Sequence, residues 1–569
     1  MRLKSLISKT INRLKNKHQF WYIKKILSKK DNQYKSIITT LMFENNITNK
    51  LVKTILQTIV YQRTKKDQIN IIENQKKTLL DYMVMTSNTK IWKKYNFEDI
   101  LINNRNKENL YNIFSKNTPI FQYDSFKQRI EESKEKSNII RPWKIKRFSV
   151  SAGTTSIDKQ NWNKKTIPIT YESMKSFSKA GQDMLSEYVE KYPHTKMFKW
   201  HSLPLVWSIQ GLSKNWTVIW DISALILLER NSIIKNKYAF SIKDLIHKDR
   251  NYKRKIFTNK LNPNKNLIMI WVTSRANELL NYREERNPKK YHKLIKNNNL
   301  EAIIWGGVSV NPYINKFNKL WIKYIWNYNA SEWIFGYQNI TDFDNHNGDA
   351  PYKLLWNHWV FYEFIPFNDK NFNEDGSLKK KPEIKPLRQI NQNDNKLAII
   401  ITTNSGLLRY MIWDVIRFID ENHHFKIIWR TTQCINIKWE ELMENHTNHI
   451  IEQINQQENI EIQNYTIAPD QMNNPKKHQR ILEWKNIGIE QEGYLTKKID
   501  YLLQEINPDY KAKRSGDMLL KMPDIIFLDK SENIFNQRLS NKWKLGWQNK
   551  IPKLSQNRKI IEEILKFNE

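Results

Sequence analysis

The chain has 569 residues, of which 40% are apolar. That is enough to bury a large core divided over two or more domains, and it excludes a largely disordered protein. Lysine and arginine outnumber aspartate and glutamate to leave a formal charge of +36 spread along the sequence, a field that favours polyanions without choosing between nucleic acid and a nucleotide. Much of that excess accompanies heavy use of Asn, Ile and Lys, the signature of an AT-rich coding sequence. The single cysteine, Cys434, excludes an internal disulfide and any thiolate cluster and fits a reducing, cytoplasmic location.

In chain order, Met1 to Lys30 reads as a basic amphipathic pattern with a solvated helical face, without the apolar core of a leader peptide. No stretch approaches the roughly 18 to 20 apolar residues needed to cross a bilayer. From Gln33 to Tyr95 apolar residues such as Ile37, Leu41, Leu51 and Ile55 recur at helical spacing. Between Arg147 and Glu229 short apolar runs alternate with Gly, Ser and Asn turns, with a helical stretch after Thr170, which is an α/β pattern. Further strands are expected at 267–272, 301–310, 359–367, 396–403 and 425–430, with a surface loop from Asn368 to Asn395. After Trp429 the composition turns helical and Glu-rich. The expected division is a helical extension over 1–70, a large domain over 71–429 and a small domain over 430–569.

Four stretches carry chemistry. SVSAGTTSIDK (149–159) sets a glycine among hydroxyl residues, so that backbone and side-chain donors can approach phosphate oxygens, although such a turn also occurs without a ligand and no Walker loop is present. YNASEW (328–333) places Glu332 after a small-residue bend, where a carboxylate can help hold a magnesium ion or simply face solvent. TTNSGLLRYMIWDV (402–415) ends an apolar run on Asp414, suited to accept from ribose hydroxyls or to act as a cap. KLGWQNKIPKLS (544–555) holds Lys550 in a loop, a feature that by itself says little in so basic a chain.

Taken in order, TLLDYMVMTSNTKIWKKYNF, RPWKIKRFSVSAGTTS, GQDMLSEY, WDISALIL, WGGVSVNPY, YNASEWIFGYQ, VFYEFIP, ITTNSGLLRYMIWDVIRF, INIKWEEL, NPDYKAKRSGDM and KLGWQNKIPKLS resemble the successive blocks of the auxin-responsive promoter (Gretchen Hagen) family of acyl acid amido synthetases, over roughly residues 70 to 565. The resemblance implies an α/β fold: a large N-terminal domain of the adenylate-forming type with a small mobile α+β C-terminal domain. It implies ATP and Mg²⁺ as cofactors, a carboxylic acid and an amino acid as substrates, and neither nucleic acid nor membrane as partner. It further implies phosphate binding by Ser151, Gly153, Thr154, Thr155 and Ser156, and adenine contacts at Tyr328, Asn329 and Ala330. Metal or phosphate duty falls to Glu332, ribose binding to Asp414, a hinge role to Arg430 and a carboxylate-directed lysine to Lys550. Thioester formation on a thiol such as coenzyme A, and a non-catalytic nucleic-acid-binding protein, are the alternatives. No zinc-finger, RRM or basic-zipper pattern supports the latter.

The sequence departs from the family in one repeated way. Trp92, Trp143, Trp220, Trp271, Trp333, Trp359, Trp413, Trp429, Trp439, Trp543 and Trp547 stand where the family has glycine, and the chain holds 21 Trp against 13 Gly. Glycine at such turns supplies positive φ or close backbone approach, which an indole cannot. Drift would have introduced Ala, Ser, Asn and Asp as well. One cause accounts for one residue type: UGA codons that mean glycine in the source, read as tryptophan. The rival is a degenerate protein whose site is filled by real indoles.

Overall fold

The computed structural model describes residues 53–566 apart from short breaks and from 62–69, 104–109, 151–164, 213–216, 230–237, 245–249, 261–266, 307–315, 341–349, 431–434 and 536–552. The chain divides into two compact units, one built mainly from Met174–Ile209 and Ile222–Ala350, the other from Ile71–Ser173, Gln210–Asp221 and Pro351–Glu569. The expected helices before Lys53 lie outside the described residues.

The second unit opens with α1 (Ile71–Thr86), whose spacing of Leu79, Tyr82 and Met83 buries one face. Its buried Gln75 acts as a side-chain ladder partner, donating to the Trp356 and Val360 carbonyls at 2.7 and 2.9 Å and accepting from the Tyr362 N–H at 2.9 Å. Further helices follow, among them α2 (Leu110–Asn117) and α3 (Tyr123–Glu135). Strand β1 (Arg147–Val150) pairs antiparallel with β2 (Thr166–Ile169). It leads directly into the hydroxyl-rich stretch, whose residues lie outside the described set. Helix α4 (Tyr171–Lys191) begins with Thr170 and Ser173 exchanging side-chain and backbone bonds of 3.1 to 3.3 Å, which satisfies donors that a first helical turn leaves open.

The first unit is a parallel sheet. It contains β3 (Ser202–Pro204), followed along the chain by β4 (Ile209–Leu212) and β5 (Val218–Trp220), which belong with β1 in a four-stranded sheet of order β2-β1-β5-β4. The parallel set continues through β6 (Leu267–Ile270), β7 (Leu300–Gly306) and β8 (Lys323–Asn329), each paired parallel to the next, and closes with antiparallel β9 (Ile334–Gln338). Apolar runs such as Ala302, Ile303 and Ile304 are buried, as expected when helices cover both faces of a parallel sheet. Helices α5 (Ile222–Glu229), α6 (Thr273–Arg286) and α7 (Pro288–Lys296) belong to this unit.

Returning to the second unit, β10 (Tyr352–Leu354), β11 (Val360–Pro366), β12 (Lys385–Pro386), β13 (Leu397–Thr403), β14 (Tyr410–Phe418) and β15 (His424–Arg430) lie in the order β12-β11-β13-β14-β15-β10 with antiparallel pairing. The expected surface loop over 368–395 is more tightly held than its composition suggests. Phe372 is fully buried, and the Asn371 side chain donates to the Pro366 carbonyl at 2.8 Å while accepting from the Glu383 N–H at 2.8 Å. Satisfied backbone groups, together with Phe372, Leu378 and Ile384 in an apolar cluster with the strands, pin this segment to the sheet edge.

The C-terminal part carries α8 (Glu444–Gln457), β16 (Asn464–Pro469), β17 (His478–Trp484), α9 (Ile489–Ile506), α10 (Pro508–Arg514), β18 (Asp524–Asp529) and α11 (Lys559–Leu565). β17 is the centre of a three-stranded sheet, antiparallel to β16 and parallel to β18. One apolar cluster joins Ile435, Ile437 and Leu442 to Ile450, Ile467, Leu482, Leu495 and Leu503.

Candidate active site

Four of the expected residues share one hairpin. Tyr328 and Asn329 end β8, and the Ala330 N–H donates to the Trp333 carbonyl at 2.9 Å, leaving Ser331 and Glu332 as the loop before β9. Tyr328 is buried and packs against Phe335 with ring centroids 5.0 Å apart. Gly306, at the C-terminal end of neighbouring β7, permits a close approach of β8: a Cβ there would lie 2.3 Å from Asn329 Oδ1 and 2.5 Å from Asn327 Oδ1. Ligands of α/β sheets gather at such C-terminal strand ends. Gly306 stands in the quoted block WGGVSVNPY, but nothing in the sequence marks which glycine of the pair carries the close approach.

The other pair of expected residues meets across two strands. Asp414 lies in the interior of β14, and the β14–β15 register makes its Cα the direct partner of Arg430. The sequence puts Asp414 at the end of an apolar run; the strand continues past it to Phe418, and Asp414 is buried within it. Just upstream, the turn between β13 and β14 is clamped by Arg409. Its Nη2 and Nε donate to the two carboxylate oxygens of Glu363 at 2.8 and 3.0 Å, and its Nη1 donates to the Ser115 carbonyl at 2.8 Å and to the Thr118 carbonyl. Tyr111 Oη adds a bond to Glu363 at 3.1 Å, and burial, with Glu363 beside it, raises the Tyr111 phenol well above its ordinary range. Sequence reasoning did not single out this pair. The available signal was Glu363 in the middle of the apolar run VFYEFIP, since a carboxylate in a buried strand requires a partner.

Ser151, Gly153, Thr154, Thr155, Ser156 and Lys550 lie outside the described residues, as does the side chain of Arg430. Downstream of Lys550 the chain is fixed to β16: the Ile467 N–H donates to the Lys553 carbonyl at 2.8 Å and the Ser555 N–H to the Ile467 carbonyl at 2.9 Å. Lys553 Nζ donates to Asn448 Oδ1 at 2.6 Å. Among the described residues no group of three His, Cys, Asp or Glu side chains is placed to hold a metal.

The tryptophans divide by backbone geometry. Among the described residues, the non-glycine positions with positive φ are three asparagines, one histidine, one arginine and three tryptophans: Trp321, Trp359 and Trp413, at 56°, 58° and 69°. Asparagine tolerates this region; a bulky residue there is an outlier. Trp413 sits where the β13–β14 ladder loses register, Ala398 facing Val415 and Ile400 facing Met411, and a bulge with a left-handed residue is ordinarily a glycine site. Trp359 is in the turn before β11 and is 40% exposed. Trp321 ends a short helix with the bonds Ile322 N–H to the Phe317 carbonyl and Trp321 N–H to the Asn318 carbonyl, both 3.0 Å. That is a Schellman end with tryptophan at the position glycine usually fills. Trp92 and Trp333 are fully buried, Trp143 is exposed, and neither these nor Trp220 has positive φ. Trp271, Trp439, Trp543, Trp547 and the side chain of Trp429 lie outside the described residues.

Three family models match the chain: the GH3 family N-terminal domain over residues 60–214, the central domain over 353–427 and the C-terminal domain over 444–559. The chain belongs to the GH3 family. The GH3 fold is borne out by solved structures. One titled "GH3.15 acyl acid amido synthetase" matches with a TM-score of 0.67 at 14% identity, covering 90% of this chain and 96% of that one. A 2-hydroxyisobutyryl-CoA ligase in its postadenylation state matches with a TM-score of 0.54 at 9% identity, covering 87% of this chain and 90% of that one. The adenylate-forming α/β architecture expected from the GH3 blocks is therefore the architecture present. No curated protein sequence matches the chain significantly.

Proposed function

We propose that this GH3 protein activates a carboxylic acid with ATP and transfers the acyl group to the amine of an amino acid. The observation that carries the reading is the β14–β15 register, which sets Asp414, inside the stretch matched by the family's central domain, directly opposite Arg430. In the first half a carboxylate oxygen attacks the α-phosphorus and the bond to pyrophosphate breaks, leaving an acyl-adenylate. In the second half the amine nitrogen attacks the acyl carbon, AMP leaves, and a proton is released. Asp414 accepts from the ribose hydroxyls. Tyr328, Asn329 and Ala330 border the base at the end of β8. The hydroxyl-rich stretch Ser151 to Ser156 and Lys550 offset charge that develops on phosphate and carboxylate. Magnesium, when bound at Glu332, supplies further charge neutralisation on the phosphates. The solved amido synthetase of the same fold favours an amine acceptor; the CoA ligase of the same fold keeps a thiol acceptor as the second reading. An acid-dependent ATP–pyrophosphate exchange screen, followed by product analysis with amino acids and with coenzyme A, tests both. No exchange with any acid would sink the adenylation reading.

We further infer that the native protein carries glycine at the family-glycine tryptophans and at Trp321. Support comes from the left-handed backbone at Trp321, Trp359 and Trp413, each in a bulge, turn or helix end that favours glycine. Glycine at these twelve positions would bring glycine from about 2% to about 4% of the chain, toward the usual ~7%. Peptide mass spectrometry of protein from its native source decides it, and an indole mass at 413 or 321 would overturn it.

A further inference from the structure

Where α1, the short helix Lys90–Lys93 and the approach to β1 meet, buried hydrogen-bond donors gather without acceptors. The backbone brings them together. The Lys90 N–H donates to the Asn138 carbonyl at 3.0 Å and the Ile91 N–H to the Ile139 carbonyl at 3.2 Å, which sets Trp92 beside the segment that carries Arg141. The Arg141 side chain is fully buried. Its Nη2 meets one carboxylate oxygen of Glu172 at 3.3 Å, while Nε and Nη1 have no partner among the described residues. The Trp143 ring centre lies 4.4 Å from the guanidinium carbon. A ring stacked there covers a face, whereas the N–H bonds point outward in the guanidinium plane and stay unsatisfied. Tyr82 Oη and Trp92 Nε1 are also buried without a partner, and their rings meet edge to face with centroids 5.5 Å apart. Arg141 is near enough to Tyr82 for its charge to pull the phenol's pKa down. Burial outweighs that pull and holds the phenol well above its ordinary range, so the hydroxyl keeps its proton.

We propose that Arg141 and Tyr82 hold a small monovalent inorganic anion of chloride size. Burial works against the guanidinium's charge, yet an arginine stays protonated in proteins. The neighbourhood is therefore a unit of positive charge and a set of donors, with one partly exposed carboxylate at its edge. Buried donors are ordinarily matched by acceptors. A buried water would have to place its own hydrogens among these donors, whereas an anion only accepts. Burial limits the ion's size, and the single guanidinium limits its charge, because a second negative charge there would be buried unpaired. The site does not depend on the acyl-transfer reading. Glycine at 92 and 143, the residues inferred above for the native chain, removes the indole donor and the stacked cover and leaves both groups that bind the ion.

The test uses denaturant melts of the full chain carrying glycine at 220, 333, 413, 429 and 439, at constant ionic strength, with chloride exchanged for the bulkier methanesulfonate. Chloride should raise the midpoint along a saturating curve, since an ion bound only by the folded chain multiplies the folded-to-unfolded ratio about 100-fold at a hundred times its Kd. Arg141→Met should remove the dependence. Tyr82→Phe, which loses one donor and keeps the ring, should raise the half-saturating chloride concentration at least about tenfold. With glycine also at 92 and 143 the dependence should persist. Crystals grown in bromide should show its anomalous signal within hydrogen-bonding reach of Arg141 Nε or Nη1. A dependence that does not saturate, one that Arg141→Met leaves unchanged, its loss in the chain with glycine at 92 and 143, or water in place of bromide overturns the proposal. A bromide signal without any effect on stability marks an adventitious ion only and overturns it as well. Should Arg141→Met fail to fold, Tyr82→Phe and the bromide signal decide.

Discussion

Two helix ends in this protein stop in similar ways with very different residues. After α8 the chain turns through Asn459 at φ 53°, and the Ile460 N–H reaches back to the Asn455 carbonyl at 3.2 Å. After the short helix before β8 it turns through Trp321 at φ 56°, and the Ile322 N–H reaches back to the Phe317 carbonyl at 3.0 Å. Asparagine is an accepted left-handed residue, whereas tryptophan, here 80% exposed, takes on the strain and gains little packing in return. The backbone at both ends follows from the buried residues around them, Ile322 and Phe317 in the second case. Only at the first does the residue agree with it. Natural sequences are locally consistent with their folds, so the disagreement marks the tryptophan as the foreign element.

The largest effect expected from that contrast is on activity. The sequence as written, with Trp413 and Trp429 beside Asp414 and Arg430, should bind ATP poorly and show no acid-dependent pyrophosphate exchange. Glycine at 220, 333, 413, 429 and 439 should restore both; each overpacked indole removed is worth about 1 to 3 kcal/mol. Equal activity in the two proteins would show the tryptophans to be tolerated.

In the glycine-bearing protein Asp414→Ala should weaken ATP binding by about 1.5 to 3 kcal/mol, the range for hydrogen bonds with a charged partner. Titration calorimetry measures it, and an unchanged affinity would remove the ribose assignment.

Where residue and fold agree, pH provides the probe. His423, His446 and His478 are each held below the ordinary imidazole range chiefly by burial, which at His478 outweighs the bond to Glu440. His478 Nδ1 has no hydrogen-bond partner, so its protonation would bury an unsatisfied N–H. The unfolded chain takes up these protons near pH 6.5 while the folded one resists. Stability is therefore full above about 6.5 and falls as pH drops toward the folded values, by up to about 1.4 kcal/mol per unit for each group. Denaturant melts between pH 7 and 5 should show this slope, and His478→Gln should reduce it by one group's share; an unchanged slope would mean His478 titrates normally.

The smallest effect returns to the two helix ends. Trp321→Gly should stabilise the chain by about 1 kcal/mol, the relief of left-handed strain less the added freedom of the unfolded glycine, while Trp321→Ala gains nothing. Asn459→Gly should change stability by only a few tenths of a kcal/mol. A destabilised Trp321→Gly in thermal melts would place the indole among residues that earn their position.

Short apolar runs between turn residues announced β6, β7, β11, β13 and β15 to within a few residues; for β11 and β13 the reason is that a strand buried on both faces needs little but apolar side chains. The ordered blocks identified the family and its adenylate-forming fold, and the recurrence of one residue type at glycine positions raised the decoding question. Other features depend on contacts that local sequence does not carry. The pairing of Asp414 with Arg430 is set by antiparallel register and a bulge, the clamp of Arg409 on Glu363 spans 46 positions, and the Glu440–His478 bond spans 38. Buried polar groups find partners wherever the folded chain brings an acceptor to a donor, and their spacing along the sequence leaves no periodic trace. Sequence determined which residue types the fold had to accommodate; tertiary structure decided which of them meet, and which three tryptophans among the described residues occupy backbone that a bulky residue adopts only with strain.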